Sequence, residues 1–143
     1  MLRTYIVTFF VSALTLNIMA QSGQPVVKYG GARSASRIIE MSNMLGDADG
    51  MRCLKIRRPF IGTIVKRDFD DDETMIVNIT LRDAKDERIP ININDKQIWL
   101  LGRPAPKLLS SLLAKGRKVS VSAYECNGGG SGVFYYAAGV KAL

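Results

Sequence analysis

The chain contains no histidine, and this absence excludes several kinds of catalytic site. Hydrolases of the Ser-His-Asp and Cys-His types need an imidazole as general base. Histidine is also the commonest metal ligand among protein side chains. The sequence likewise lacks the spacing of a phosphate-binding P-loop. An enzyme built from this chain would have to use carboxylates alone, as glycosidases with paired acids do.

The sequence has only one long apolar run, and it lies at the N-terminus. It extends from Tyr5 to Leu16, follows Arg3 and ends shortly before Ala20. A charged start, an apolar core of about 7–15 residues and a small residue at the cut are typical of a signal peptide. The alternative is a membrane anchor, but a spanning helix needs about 20 apolar residues. We therefore expect cleavage after Ala20, with residues 1–20 removed and a periplasmic or secreted protein without a transmembrane span.

Cysteine is scarce too, since the chain has only Cys53 and Cys126. In an exported protein, an even pair of cysteines predicts a disulfide bond. Two thiolates without any histidine fall short of a tetrahedral metal site, so the sequence predicts neither a metal nor a cofactor. The bridge would close a loop of about 70 residues and add about 4 kcal/mol of stability in the chain-entropy model.

Negative charge is in deficit, with 13 aspartates and glutamates against 20 lysines and arginines. Such a balance favours acidic partners, namely nucleic acid, anionic lipid headgroups, acidic glycans or an acidic protein face. The positive residues are spread along the chain and form no basic tail. A surface charge that only keeps the protein soluble is an equally good interpretation.

The region after the signal peptide has few residues to bury. Residues 21–35 are rich in glycine, serine and glutamine and predict a flexible lead-in. Residues 36–45 have apolar side chains at roughly helical spacing, which predicts a short helix that packs on the main domain. These apolar residues are Ile38, Ile39, Met41 and Leu45. We assign residues 21–50 to this N-terminal segment.

The remaining sequence, residues 51–143, predicts a domain that is mainly β. Alternation of apolar and polar residues predicts strands at 60–66, 75–81, 88–94, 119–124 and 133–140. A helix is predicted between the third and fourth of these strands. Pro106 suits its first turn, the leucines that follow form one apolar stripe, and Gly116 is suited to end it.

This order of three strands, a helix and two strands resembles the five-stranded Greek-key barrel called the OB-fold. The resemblance covers residues 54–142. In this region the chain resembles small secreted or periplasmic bacterial OB-fold proteins, and the element order does not point to one family among them. In such a barrel the first and fourth strands pair antiparallel. Cys53 precedes the first strand and Cys126 ends the fourth, so the resemblance implies that the two thiols lie close together.

The resemblance also implies where a ligand would bind. OB barrels use the face of their second and third strands and the loops that join strands one to two and four to five. The four–five loop is the glycine-rich segment 127–132, which has aromatic residues beside it. Aromatic rings stack on bases or sugars, and positive side chains follow a phosphate backbone. The candidate ligand-binding residues are Tyr124, Tyr135, Arg57, Arg58, Lys66 and Arg67. Core packing is the alternative role for each aromatic residue.

Two further segments resemble sites but lack the necessary spacing. The acidic residues 68–73 offer carboxylates to Ca²⁺, but they lack the spacing and glycine of an EF-hand loop. Ser131 lies among glycines, but its segment joins two strands, whereas a nucleophile elbow joins a strand to a helix. We interpret the first as a solvated turn and the second as a hairpin linker. Trp99, which follows the third strand, is expected to cover the open end of the barrel, and a surface contact is the alternative.

Three functions are compatible with these features. The first is a non-catalytic exported OB-fold protein that binds a protein or glycan partner. The second is a single-stranded nucleic-acid-binding protein that acts outside the cytosol, which the positive charge supports. The third is a hydrolase that uses carboxylates alone, and no cleft between paired acids is evident to support it.

Overall fold

The structure is a computed structural model, and it describes residues 23–31, 37–46 and 52–143. The proposed signal peptide, residues 1–20, lies outside the described residues. The strands are β1 (Val26–Gly30), β2 (Arg37–Ser42), β3 (Arg52–Lys55), β4 (Phe60–Phe69), β5 (Ile76–Arg82), β6 (Arg88–Asn92), β7 (Lys118–Asn127) and β8 (Val133–Ala142). The helices are α1 (Asp95–Ile98), which continues into a 3-10 turn at Trp99–Leu101, and α2 (Ala105–Leu112). A second 3-10 turn occupies Gly129–Ser131.

Strands β4 to β8 close into a five-stranded barrel. β4 pairs antiparallel with β5 and β7, β5 with β6, and β7 with β8. A parallel pairing between β6 and β8 completes the circle. Both helices lie between the third and fourth barrel strands, so the predictions of a mainly β fold and an OB-like barrel are confirmed.

The barrel interior is filled by the residues that the period-two pattern placed on one side of each strand. Ile79, Leu81 and Ile91 are fully buried, and so are Val119 and Val121. The apolar stripe of α2 joins the same core through Leu109, Leu112 and Leu113. Burial of these side chains, worth about 1.5–3 kcal/mol each, holds the helix against the strands.

The N-terminal segment differs from our prediction in two places. Residues 26–30 form strand β1 within the expected flexible lead-in, and residues 37–42 form a strand where we expected a helix. β2 pairs with both β1 and β8. A bulge leaves Ile39 without a partner in β1, between the pairs Tyr29–Ile38 and Lys28–Glu40. The extra residue turns Ile38 and Met41 to the same side, and both are buried in the barrel core. The bulge at Ile39 therefore puts two buried residues, Ile38 and Met41, three positions apart in a strand. We interpreted this spacing as that of a helix.

The structure also corrects the expectation for Trp99. Its side chain is 41% exposed, whereas the preceding Ile98 is fully buried in the core. Because α1 is a single turn that continues into the 3-10 turn, only Ile98 of this pair points at the barrel. The apolar residues of α1 and α2 therefore complete the core in place of Trp99.

The predicted disulfide is confirmed and lies between β3 and β7. One edge of β7 pairs with β8, and its other edge pairs first with β4 and then with β3. Cys53 lies directly opposite Cys126 in this register, with their Cα atoms 4.0 Å apart. The bridge thus ties the edge strand β3 to the centre of the sheet.

The acidic turn between β4 and β5 is organised by one of its own carboxylates. Asp70 accepts hydrogen bonds from the backbone amides of Met75, at 3.0 Å, and Thr74, at 2.7 Å. These bonds, above all the one from Met75, lower the pKa of the Asp70 carboxyl below its ordinary value. Glu73 has a left-handed backbone with φ of 55°, a conformation that disfavours a residue with a side chain. The Asp70 carboxylate offsets this strain by holding the two amides that follow.

The bridge makes a prediction for stability. Cys53→Ser should lower the free energy of unfolding by about 4 kcal/mol, because the unbridged unfolded chain gains loop entropy. The melting temperature under oxidising conditions should then fall by about 15 °C. Reductant should lower the wild-type melting temperature to that of the variant and leave the variant unchanged. A wild-type melting temperature that does not respond to reductant would contradict the prediction.

The N-terminal hairpin makes a second prediction. Met41→Ala should lower the free energy of unfolding by about 2–5 kcal/mol, because it leaves a cavity in the barrel core. The matched control is Val26→Ala in β1, whose side chain is 47% exposed and whose loss should cost less than about 0.5 kcal/mol. Chemical denaturation would measure both, and equal small effects would show that β2 is not part of the core.

The Asp70 turn makes a prediction about pH. A carboxyl whose pKa is lower in the folded state stabilises the protein above its unfolded pKa, and the stabilisation is lost as the pH falls through the folded value. Asp70→Asn should therefore lower the melting temperature at neutral pH and flatten its fall below about pH 4. The control is Asp71→Asn, which alters an exposed neighbour. An Asp70→Asn variant that keeps the wild-type acid profile would contradict this.

Candidate functional site

The usual ligand-binding face of an OB barrel is polar in this protein. The outward residues of β5 and β6 stand opposite each other as Asn78–Asn92, Thr80–Pro90 and Arg82–Arg88. The Asn78 amide donates to the Asn92 side-chain oxygen at 3.1 Å. These two strands, both fully described, contain no aromatic residue, so their face has no surface on which a base or sugar would stack.

A groove lies instead on the outer face of the sheet formed by β2, β8, β7 and β3. Two open cavities of about 300 and 280 Å³ adjoin there and share Ser42, Lys55 and Ser122 in their linings. We call this surface the serine groove. The cross-strand rows that build its floor are Glu40–Lys141–Ser120 and Ser42–Gly139–Ser122.

The middle of the groove floor is built from small residues. Gly139 lies in its middle, and a Cβ there would come within 3.1 Å of the Ser122 hydroxyl and 3.2 Å of the Met41 carbonyl. The Ser122 hydroxyl donates to the carbonyl oxygen of Gly139 at 3.3 Å. A larger side chain at either position would fill the floor.

One wall forms where the chain passes from β3 to β4. These strands follow each other along the same edge of β7, and residues 56–59 link them. Ile56, Arg57 and Pro59 line the larger cavity, and Lys55 lines both. Proline has no amide to donate, which suits a position where the chain has left the sheet.

The electrostatics of the groove are positive. Lys55, Arg57 and Lys141 line it and are exposed. Its one acidic residue, Glu40, pairs with Lys28 at 3.0 Å. Among the described residues, no carboxylate forms a salt bridge with Lys55, Arg57 or Lys141. The groove therefore offers hydroxyl groups and cationic side chains to an anionic ligand.

The structure brings together two of the six candidate binding residues. Arg57 lines the larger cavity and Tyr124 the smaller one, where it is half-buried. Arg58 is the exposed neighbour of Arg57 and does not line the groove. Tyr124 is the register partner of both Lys55 and Tyr136.

The other three candidates lie elsewhere. Tyr135 packs against the barrel core and not in the groove. Its ring lies edge-on against Phe60, with 5.0 Å between the ring centroids. Lys66 forms an ion pair with Asp68 at 2.8 Å, and the Arg67 guanidinium lies 5.6 Å from the centre of the Phe69 ring. Lys66 and Arg67 therefore make local contacts at the end of β4, next to the acidic turn.

Sequence reasoning missed the serines and lysines of the groove. The alternation of β7 places Ser120, Ser122 and Tyr124 on one outward face, so part of the signal was present in the sequence. Ser42 and Lys141 carried no such signal, because they meet β7 only through the pairing of β2 with β8.

The described part of the chain contains no group of three or more acidic or cysteine side chains placed to hold a metal ion. In the acidic turn, Asp70 is directed at its own backbone amides. Over the same residues, no helix combines the length and the apolar composition needed to cross a membrane.

The description of the barrel as OB-like rests on strand order and pairing. Comparison with known proteins finds no matching family model, no significantly similar curated sequence and no significantly similar solved structure.

Proposed function

We propose that this protein is a non-catalytic, exported binding protein that recognises an acidic protein or glycan partner through the serine groove. The observation that carries the proposal is the position of Lys55, Arg57 and Lys141 around a floor of serine hydroxyls. Cationic side chains, the hydroxyls of Ser42 and Ser120 and one aromatic residue suit carboxylate or sulfate groups on an extended ligand.

Export supports this choice of partner. The apolar run at the N-terminus has the parts of a signal peptide. The Cys53–Cys126 disulfide is of the kind that persists in oxidising compartments. Partners met there include envelope proteins and acidic glycans, whereas most nucleic acid is in the cytosol.

Three observations make the other functions less suitable. Nucleic-acid binding by an OB barrel relies on aromatic stacking, and the outward face of β5 and β6 has no aromatic residue. Catalysis would have to proceed without histidine. In the acidic turn, the Asp70 carboxylate already accepts two backbone hydrogen bonds.

The test compares three immobilised polymers: polygalacturonate, polyglutamate and single-stranded DNA. The wild-type protein should be retained by one of the first two. Lys55→Glu with Arg57→Glu should weaken that binding at least about tenfold, because two attractive contacts become repulsive.

The matched control is Arg82→Glu with Arg88→Glu, which reverses two charges that face each other across β5 and β6. This control should bind like the wild type. Preferential binding of single-stranded DNA, with steep loss between 50 and 200 mM salt and sensitivity to the Arg82 and Arg88 changes, would replace the proposal with the nucleic-acid alternative.

A further inference from the structure

A second surface of the molecule combines exposed apolar side chains with positive charge. It lies on the 3-10 turn that follows α1, on the connection between β6 and β7. Trp99 is 41% exposed and Leu100 is 51% exposed, and they are neighbours in the chain. Together they place two large apolar side chains on one exposed turn, and an exposed apolar patch rimmed by polar residues is a common feature of protein and membrane interaction sites.

The charged residues near this pair are positive except for Asp95, which begins α1 one turn before Trp99. From Lys96 to Tyr124, every charged residue is a lysine or an arginine. Lys96 is three residues before Trp99 and four before Leu100 on the continuous helical turn, so it lies on the same face. Arg103 and Lys107 follow on the turn and at the start of α2, and all three cations are exposed.

The backbone beneath the pair is held in place. The Asn94 side chain caps α1 by accepting from the Gln97 amide at 3.4 Å and donates to the Leu45 carbonyl at 2.8 Å. After the turn, the Gly102 amide donates to the Trp99 carbonyl at 2.9 Å. Buried Ile98 and half-buried Leu101 anchor the turn on the core. Trp99 and Leu100 are therefore presented on a rigid base.

We propose that this surface, formed by Lys96, Trp99, Leu100, Arg103 and Lys107, docks the protein on an anionic phospholipid membrane. Tryptophan is favoured at the headgroup level because its ring is apolar and its N–H can donate a hydrogen bond. The leucine beside it enters the acyl boundary, and the three cations contact lipid phosphates. Each basic residue near an anionic surface contributes about 1 kcal/mol.

Charge complementarity decides in favour of lipid as the occupant. A second copy of the chain would bring the same cations against each other across a two-fold axis. An acidic membrane provides many negative charges over an apolar layer, which matches exposed Trp99 and Leu100 with three exposed cations within eight residues of them in the chain. The docking surface is distinct from the serine groove and shares no residue with its lining.

The experiment uses residues 21–143, which contain every strand and helix that the structure describes. The apolar run before them would itself bind lipid. Vesicles of phosphatidylcholine alone are compared with vesicles containing about one quarter phosphatidylglycerol. Trp99 is the chain's only tryptophan, so its fluorescence reports on this surface alone. Sedimentation with the anionic vesicles and a blue shift of the emission are expected, and neither is expected with phosphatidylcholine.

Two variants separate the contributions of charge and apolar contact. Lys96→Gln with Arg103→Gln and Lys107→Gln should weaken vesicle binding about 100-fold. Leu100→Ser should weaken it about tenfold and leave the tryptophan in place as the probe. The control for the triple variant combines Arg58→Gln, Lys85→Gln and Arg88→Gln, which removes three positive charges elsewhere. The control for Leu100→Ser is Ile61→Ser, at a residue that is 50% exposed.

Each outcome decides the proposal. Binding that the docking-surface variants weaken and the controls do not would support it. No binding to anionic vesicles at low salt, sedimentation without an emission shift, or equal losses in the control variants would overturn it. Lys55→Glu with Arg57→Glu should retain vesicle binding, so failure of the groove as a binding site is distinguishable from failure of this surface.

Discussion

Strand β7 is the element on which the other strands depend. One of its edges pairs with β8, and its other edge pairs with β4 and then with β3. These pairings close the barrel and extend it into a ribbon of three strands, in which Cys53 and Cys126 face each other. Lys55 lies opposite Tyr124 and Phe60 lies opposite Val121, so residues 56–59 span only two positions of β7 and the chain leaves the sheet there. That departure forms the positive wall of the serine groove, so the groove follows from the same pairing that closes the barrel.

Strand β8 plays the corresponding role on the opposite side. Its outer edge meets β6 near Tyr136 and β2 from Gly139 onward. The N-terminal hairpin thereby continues the sheet where β6 leaves it, and it contributes Ser42 and Glu40 to the groove. Met41, on the other side of β2, fills the barrel core. A segment outside the five barrel strands thus supports both the core and the candidate site.

The two proposed surfaces use positive charge differently. In the serine groove, cations surround a floor of hydroxyl groups and one tyrosine, which suits a polar, acidic ligand. On the docking surface, three exposed cations lie close in the chain to an exposed tryptophan and leucine, which suits a charged layer over an apolar one. Neither surface depends on the face of β5 and β6 that OB barrels usually employ.

Local pattern determined the barrel strands, the helix stripe and the disulfide. Alternation and turn residues act between near neighbours in the chain, and the order of elements then leaves few ways to close a sheet. Pairing between distant segments decided the rest. The bulge at Ile39 depends on partners in β1, so its three-residue spacing looked helical until those partners were known. Arg57 and Tyr124 line the same groove because β3 lies beside β7. Tyr135 instead packs against Phe60 of β4. Contacts of this kind depend on register and twist, which residue type alone does not specify.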